Sequence, residues 1–359
     1  MKMSKPAVTN KTIATPNKNL SSPYGYKNEV NSEQGMIFAP TKFQVKGQRG
    51  FSMIELLVAM GLGVLLMLGV LTVFDSSREG TRVQEAMASV QDTGRIAMDF
   101  ISRDFRNADF AGCVNDKSRV QNLVTGGGDF TGFFNGGGIT GTTNAKDATI
   151  GGRKVLDGTS TVRIVGAQPA CDGISSLDSS AGDEDDPLTF RTSCAIPQGT
   201  ILLVSNCQFG DIFVKTNADT ATTIEHTTSP VGSLSNSSAI FQTTYREEAQ
   251  VLRPFVREYF LATNTRNGTS LYRRDNGDVQ ELVPNVESFE IMYGSDTSDP
   301  ADGAADVFSA SPTDMSQVVS ARVSLTVRSN SELNGQPLTR TYSGTSSIRN
   351  RLVLSEASN

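Results

Sequence analysis

Apolar positions along this chain fall into three regimes. From Leu56 to Phe74 nineteen residues pass without a charge, and most of them are apolar. At helical rise such a run spans about 28 Å, close to the hydrocarbon core of a bilayer. After Asp75 the pattern changes. Val83, Met87, Val90, Gly94, Ala97, Ile101 and Phe105 recur at steps of three or four, one face of an amphipathic helix. Arg78, Arg82, Arg95, Arg103 and Arg106 lie mostly off that stripe. No proline occurs between Pro40 and Pro169, so the two regimes join into one helix from Phe51 to about Ala108, broken near Gly112. Its length is on the order of 85 Å, half membrane span and half domain spine. Gly61, Gly63 and Gly69 soften the first half, which permits close helix packing or local melting.

The third regime is strand-like. Thr161–Val165 alternates, and Leu188–Thr192, Thr200–Val204 and Asp211–Lys215 follow. The best patterning lies in the C-terminal third. Arg257–Ala262 and Ser270–Arg274 predict a hairpin around Asn267-Gly268, and Asp275-Asn276-Gly277-Asp278 predicts a second turn. Val279–Val283, Val286–Tyr293, the strictly alternating Val318–Arg328 and Leu338–Tyr342 complete the set. Residues 112 to 160 read as loop, with Gly126-Gly127-Gly128 and Gly136-Gly137-Gly138 flanking Phe130, Phe133 and Phe134. The fold class that follows is α+β. A long N-terminal helix packs against antiparallel sheet in a large C-terminal head.

Charge orients the chain. Residues 1–50 carry eight Lys/Arg against two Asp/Glu, which leaves 24 against 36 and a net charge of −12 in the rest. The basic part stays cytoplasmic by the positive-inside rule, and the bulk of the chain is exported. An acidic exported head argues against nucleic acid as a partner. All four cysteines, Cys113, Cys171, Cys194 and Cys207, lie beyond the apolar run, and an even count in an oxidising compartment favours two disulfides. Four cysteines permit three connectivities. The short loop between adjacent strands favours Cys194–Cys207, with Cys113–Cys171 as the remainder. Residues 1–35 are polar and aperiodic and read as disordered; Met36 offers an internal start that leaves a short leader ending at Gly50.

The chemistry concentrates where the apolar run begins. Arg49-Gly50-Phe51-Ser52-Met53-Ile54-Glu55 sets one carboxylate at the head of the greasy segment. An acid there costs several kcal/mol unless it finds a partner. Cleavage between Gly50 and Phe51 creates that partner, a free α-amine four residues from Glu55, available to its own chain or to a neighbour. This stretch resembles the type III signal of type IV pilins and pseudopilins. The resemblance implies a prepilin peptidase that cuts after Gly50 and methylates Phe51, with Glu55 as the glutamate used in assembly.

A second resemblance covers the C-terminal third. The succession Leu271-Tyr272-Arg273-Arg274, Leu282 to Phe289, Tyr293 to Thr297, Val319–Arg328 and Arg349-Asn350 is similar to the PilW family of minor pilins. It is more loosely similar to minor pseudopilin J of type II secretion. What these resemblances imply is a pilin-like fold with a leader at 1–50, a transmembrane half-helix at 51–74, an amphipathic half-helix at 75–110 and a head at 111–359. They imply a subunit held in the inner membrane by a single pass with a periplasmic head, later on the pilus at the surface of a Gram-negative bacterium. The implied partners are the peptidase, the major pilin, other minor pilins and a tip adhesin. The implied role is priming of pilus assembly at the tip. The alternative is a pseudopilin of type II secretion or DNA uptake.

Other chemistry is sparse. The one histidine, His226, stands in a Thr-rich strand-like stretch without a Gly-x-Ser-x-Gly elbow or an HExxH motif, so no catalytic role is expected. Asp183-Glu184-Asp185-Asp186 reads as a solvated acidic loop. Asp296, Asp299, Asp302 and Asp306 form either an acidic turn or a Ca²⁺ loop, the only cofactor the sequence raises.

Overall fold

A computed structural model describes residues 50–114, 116–126, 138–171, 177, 183–190, 194–219, 223–266, 268–333 and 335–351. The leader before Gly50, Met36 included, and the aromatic cluster Phe130, Phe133 and Phe134 lie outside the described residues. The chain divides into two compact units, Met1–Leu66 and Met67–Asn359.

A single helix covers Met53–Arg106. Leu, Met, Ala, Arg, Glu and Gln supply nearly half of its positions, and no proline interrupts it. It begins where the Ser52 carbonyl accepts the amides of Glu55 and Leu56, at 3.0 and 3.1 Å. Arg103 and Arg106 sit in its last turn, where cations favour the helix dipole. The expected break at Gly112 comes earlier. Asp109 takes a left-handed φ of 63°, and its amide donates to the Val165 carbonyl at 2.7 Å. A strand therefore captures the chain before the glycine is reached. The buried stripe is also shifted. Met87 is exposed, and Ala86 is buried beside Val90, Gly94, Ala97, Ile101 and Phe105.

The head contains two principal sheets. The larger has eight strands centred on Gln250–Thr263. On one side of that strand lies Thr161–Pro169, followed by Ile139–Thr142. On its other side lie Thr269–Asp275 with Asp278–Pro284, and Ile201–Ser205 with Gly210–Val214. Val120–Asn122 adds to Gly210–Val214 as a parallel edge. The turn between Asp275 and Asp278 places Asn276 and Gly277 at φ 49° and 103°, the left-handed pair that a tight hairpin needs. The smaller sheet is fully antiparallel, in the order Val307–Ser309, Val286–Ser295, Val318–Leu333, Gln336–Ser347. Residues expected to be loop in 112–160 include the edge strand Ile139–Thr142 and a small hairpin, Thr149–Ile150 with Arg153–Lys154.

One core joins the helix to both sheets. Val90, Ala97, Ile101, Phe105 and Ala108 pack with Tyr259 and Leu261 of the larger sheet and with Phe289, Ile291, Val323 and Leu325 of the smaller. A second core, around Phe213, Phe241 and Tyr245, supports the far end of the larger sheet.

Candidate assembly interface

The site starts at Gly50 and Phe51, both exposed, followed by the apolar helix. Ser52 and Glu55 stand in the S-x-x-E spacing of a helix N-terminus, so the acid also faces the positive end of the helix dipole. Among the described residues no side chain pairs with Glu55, which is exposed. The large apolar side chains from Phe51 to Phe74 are exposed as well. It is the one helix, among the described residues, long and apolar enough to cross a membrane. An unpaired carboxylate heading an uncovered apolar rod is a surface that needs a cation and a greasy neighbour.

The other end of the helix is fixed by polar contacts to the head. Asp104, on the buried face, accepts from Arg257 Nη1 at 2.7 Å and from the Tyr259 hydroxyl. Arg257 turns its Nε to Asp275 at 2.9 Å and lies over the Phe255 ring at 4.1 Å. Burial pulls the Arg257 guanidinium down, but Asp104 and Asp275 outweigh it and hold the pKa above the ordinary value. Burial, then the Asp104 charge, pushes the Tyr259 phenol up. One turn beyond the helix, Asn350 Nδ2 donates to the Ala108 carbonyl at 2.8 Å, and Arg351 Nε to Asp109 at 2.8 Å. Arg351 Nη1 also reaches the Val318 carbonyl at 2.9 Å. The C-terminal Arg349-Asn350-Arg351 thus clamps the end of the helix to the head.

These contacts were not singled out by sequence reasoning. The available signal was Asp104 itself, an acid between Ile101 and Phe105 on the apolar stripe. Arg257 and Tyr259 stand two residues apart, on one face of a strand.

The disulfides correct the expected pairing. Cys113 bonds Cys207, and Cys171 bonds Cys194. Cys207 follows the strand Ile201–Ser205, whereas Cys194 precedes it and bonds Cys171. Cys207 occupies the turn after that strand. There Ser205 Oγ donates to the Ala111 carbonyl at 3.0 Å, which brings the turn to the end of the helix and to Cys113.

The remaining candidates are committed to local structure. Asp296 accepts the amides of Ser298 and Gly303, at 3.1 and 2.6 Å. Asp306 accepts the Thr297 amide at 2.7 Å and the hydroxyls of Thr297 and Ser298, and these bonds hold its carboxyl below the usual range. Asp302 accepts the Ala304 amide at 2.8 Å, and Asp299 precedes Pro300 in the same loop. Among the described residues no group of three or more His, Cys, Asp or Glu is placed to hold a metal. His226 is buried, stacked on Phe241 at 3.8 Å, with Nε2 at 3.1 Å from the Asp186 carbonyl; burial pushes its pKa down.

Comparison with known families agrees with both ends of this picture. Residues 45–71 match the prokaryotic N-terminal methylation motif. Residues 258–349 match the type IV pilus-assembly protein W family and take in the smaller sheet, the end of the central strand and the two strands that follow it in the larger sheet. Neither a curated protein nor a solved structure matches the chain. The two signatures make these two stretches, about a third of the chain, similar to a prepilin-type signal and to a type IV pilus-assembly protein.

Proposed function

We propose that this chain is cut between Gly50 and Phe51 by prepilin peptidase, methylated on Phe51, and used to prime type IV pilus assembly at the tip. The observation that carries the reading is Glu55, unpaired at the head of an uncovered apolar helix and four residues from the prospective α-amine. In a growing filament the Glu55 carboxylate attracts the terminal amine of a neighbour, while apolar helices pack side by side. Such an ion pair sets register more than it adds net stability. A head spanning residues 111–359 is bulky for a filament shaft, which favours a capping position beside other minor pilins and an adhesin. The periplasmic side receives the head, because the basic leader holds the other end in the cytoplasm.

The test separates processing from assembly. Glu55→Val should leave export and cleavage intact and lower the number of surface pili. Normal piliation in that variant would remove the proposed role of Glu55. Amino-terminal sequencing of the mature protein should begin at a methylated Phe51.

A further inference from the structure

The strand Gln336–Ser347 is an edge of the smaller sheet, and among the described residues no strand pairs with its other side. Its free side can be assigned residue by residue. The Ile348 amide donates to the Val319 carbonyl at 2.8 Å, and Ser347 stands opposite Ser320. Antiparallel ladders alternate bonded and non-bonded pairs. Arg340, Tyr342, Gly344 and Ser346 therefore turn their backbone groups inward to Val318–Leu333. Thr339, Thr341, Ser343, Thr345 and Ser347 turn theirs outward, and all five are exposed.

Natural edges are guarded by shortness, Lys, Pro or bulges. The other sheet edges here follow that rule: Val307–Ser309 and Val120–Asn122 have three residues each, Ile139–Thr142 has four, and Asp278–Pro284 carries two acids and a proline. From Thr339 to Ser347 the register is regular, no proline or bulge interrupts it, and Arg340 is the only charge. The strand is also stiffly backed. The Tyr342 ring covers Gly94 of the helix, and Met98 packs under Gly344.

Charge selects the occupant. The exported chain is acidic, yet residues 318–347 carry Arg322, Arg328 and Arg340 against Glu332 alone. Arg322 reaches Thr345 at 3.3 Å, and Arg328 stands opposite Thr339, on the face that bears the outward hydroxyls. A second copy pairing by the same edge would offer Arg340 as that strand's only charge and no carboxylate to meet these arginines. We propose that the free side of Gln336–Ser347 receives, as a fifth strand, an extended acidic segment from the head of a different pilin subunit. The inference rests on the minor-pilin reading and adds where a partner docks and by what chemistry: main-chain pairing for affinity, carboxylates on the arginine face for choice.

The test is photocrosslinking of the full chain in its native host, with p-benzoylphenylalanine at position 341. The expected result is an adduct with another chain that carries a prepilin signal. Ser343→Pro removes an outward N–H that the fold does not use, and proline is tolerated at such an edge position. It should lower the adduct at least tenfold, as should Thr345→Pro, while Ser343→Ala leaves it unchanged. Unaltered disulfides in the proline variants report an intact head. An adduct with a second copy, no adduct, or an adduct indifferent to both prolines overturns the proposal. Sequencing the mature terminus in the same cells separates the two readings. A start at Phe51 without the adduct sinks the edge proposal alone, and a start elsewhere sinks both.

Discussion

Asp104 on the helix and Arg257 on the central strand meet at 2.7 Å, with 3% and 13% of their side chains exposed. They are 153 residues apart in sequence, so this one bond registers the spine against the head. A buried pair of this kind adds little net stability when intact and costs heavily when halved. Asp104→Ala leaves the guanidinium with Asp275 as its one carboxylate, beside Gln168, and strips the Tyr259 hydroxyl of its acceptor. The expected loss is about 3 kcal/mol in urea unfolding of the detergent-solubilised chain. Replacing both partners by Leu and Met should cost markedly less than the single change, because no orphan charge then remains.

Gly94 is a second registration point. A Cβ built there overlaps the edge of the Tyr342 ring at Cε2 and Cδ2. Gly94→Ala must push the edge strand off the helix or force the ring from its rotamer, at a cost of about 1–3 kcal/mol. Trimming the ring relieves the clash, so Gly94→Ala with Tyr342→Ser should lose less than the two single losses combined. An additive result in thermal unfolding would mean that the two residues do not touch.

Asp211 supplies a pH signature. It is buried and accepts from the Tyr245 hydroxyl at 2.7 Å and from the Gln242 amide at 3.0 Å, and among the described residues no cation pairs with it. Burial raises its pKa despite those bonds. Its folded value therefore lies above the unfolded one, and the stability it contributes is present at low pH and lost as pH rises through the folded value. Wild type should gain on Asp211→Asn as pH falls from neutrality toward about 4, the unfolded pKa of an aspartate. His226, depressed by burial, acts with the opposite sign below about 6.5. The comparison is therefore made between variants that both retain His226.

How much of this was legible beforehand depends on the range of the force involved. The helix announced itself, because an unbroken apolar run and a 3.6-residue stripe are local signals, and so did the alternating strands Val286–Ser295 and Val318–Leu333. The start of the central strand at Gln250, seven residues before the expected Arg257, was hidden by Arg253 and Pro254. Their strand conformation is imposed by pairing with Gln168 and Ala167. The helix ends within two residues of the expected Ala108, but the turn that follows is set at Asp109, held by Val165 from another element, which no local signal marks. The chemistry proposed for Gly50, Phe51 and Glu55 can be argued from sequence neighbours alone. Asp104, Arg257 and Arg351 were not legible in this way, since each bonds a partner more than a hundred residues away.

The disulfides offer the last test, and one that discriminates between connectivities. Cys113–Cys207 closes a separation of 94 residues and ties the end of the helix to the turn after Ile201–Ser205, whereas Cys171–Cys194 closes only 23. If the bonds act by restricting the unfolded chain, the longer one stabilises by about 1 kcal/mol more. Paired serine variants of the full chain should therefore unfold in the order Cys113→Ser/Cys207→Ser first, Cys171→Ser/Cys194→Ser second, wild type last. Non-reducing peptide mapping of the wild type should recover Cys113 linked to Cys207. A peptide joining Cys194 to Cys207 instead would contradict the contact that brings the turn after Ser205 to the end of the spine.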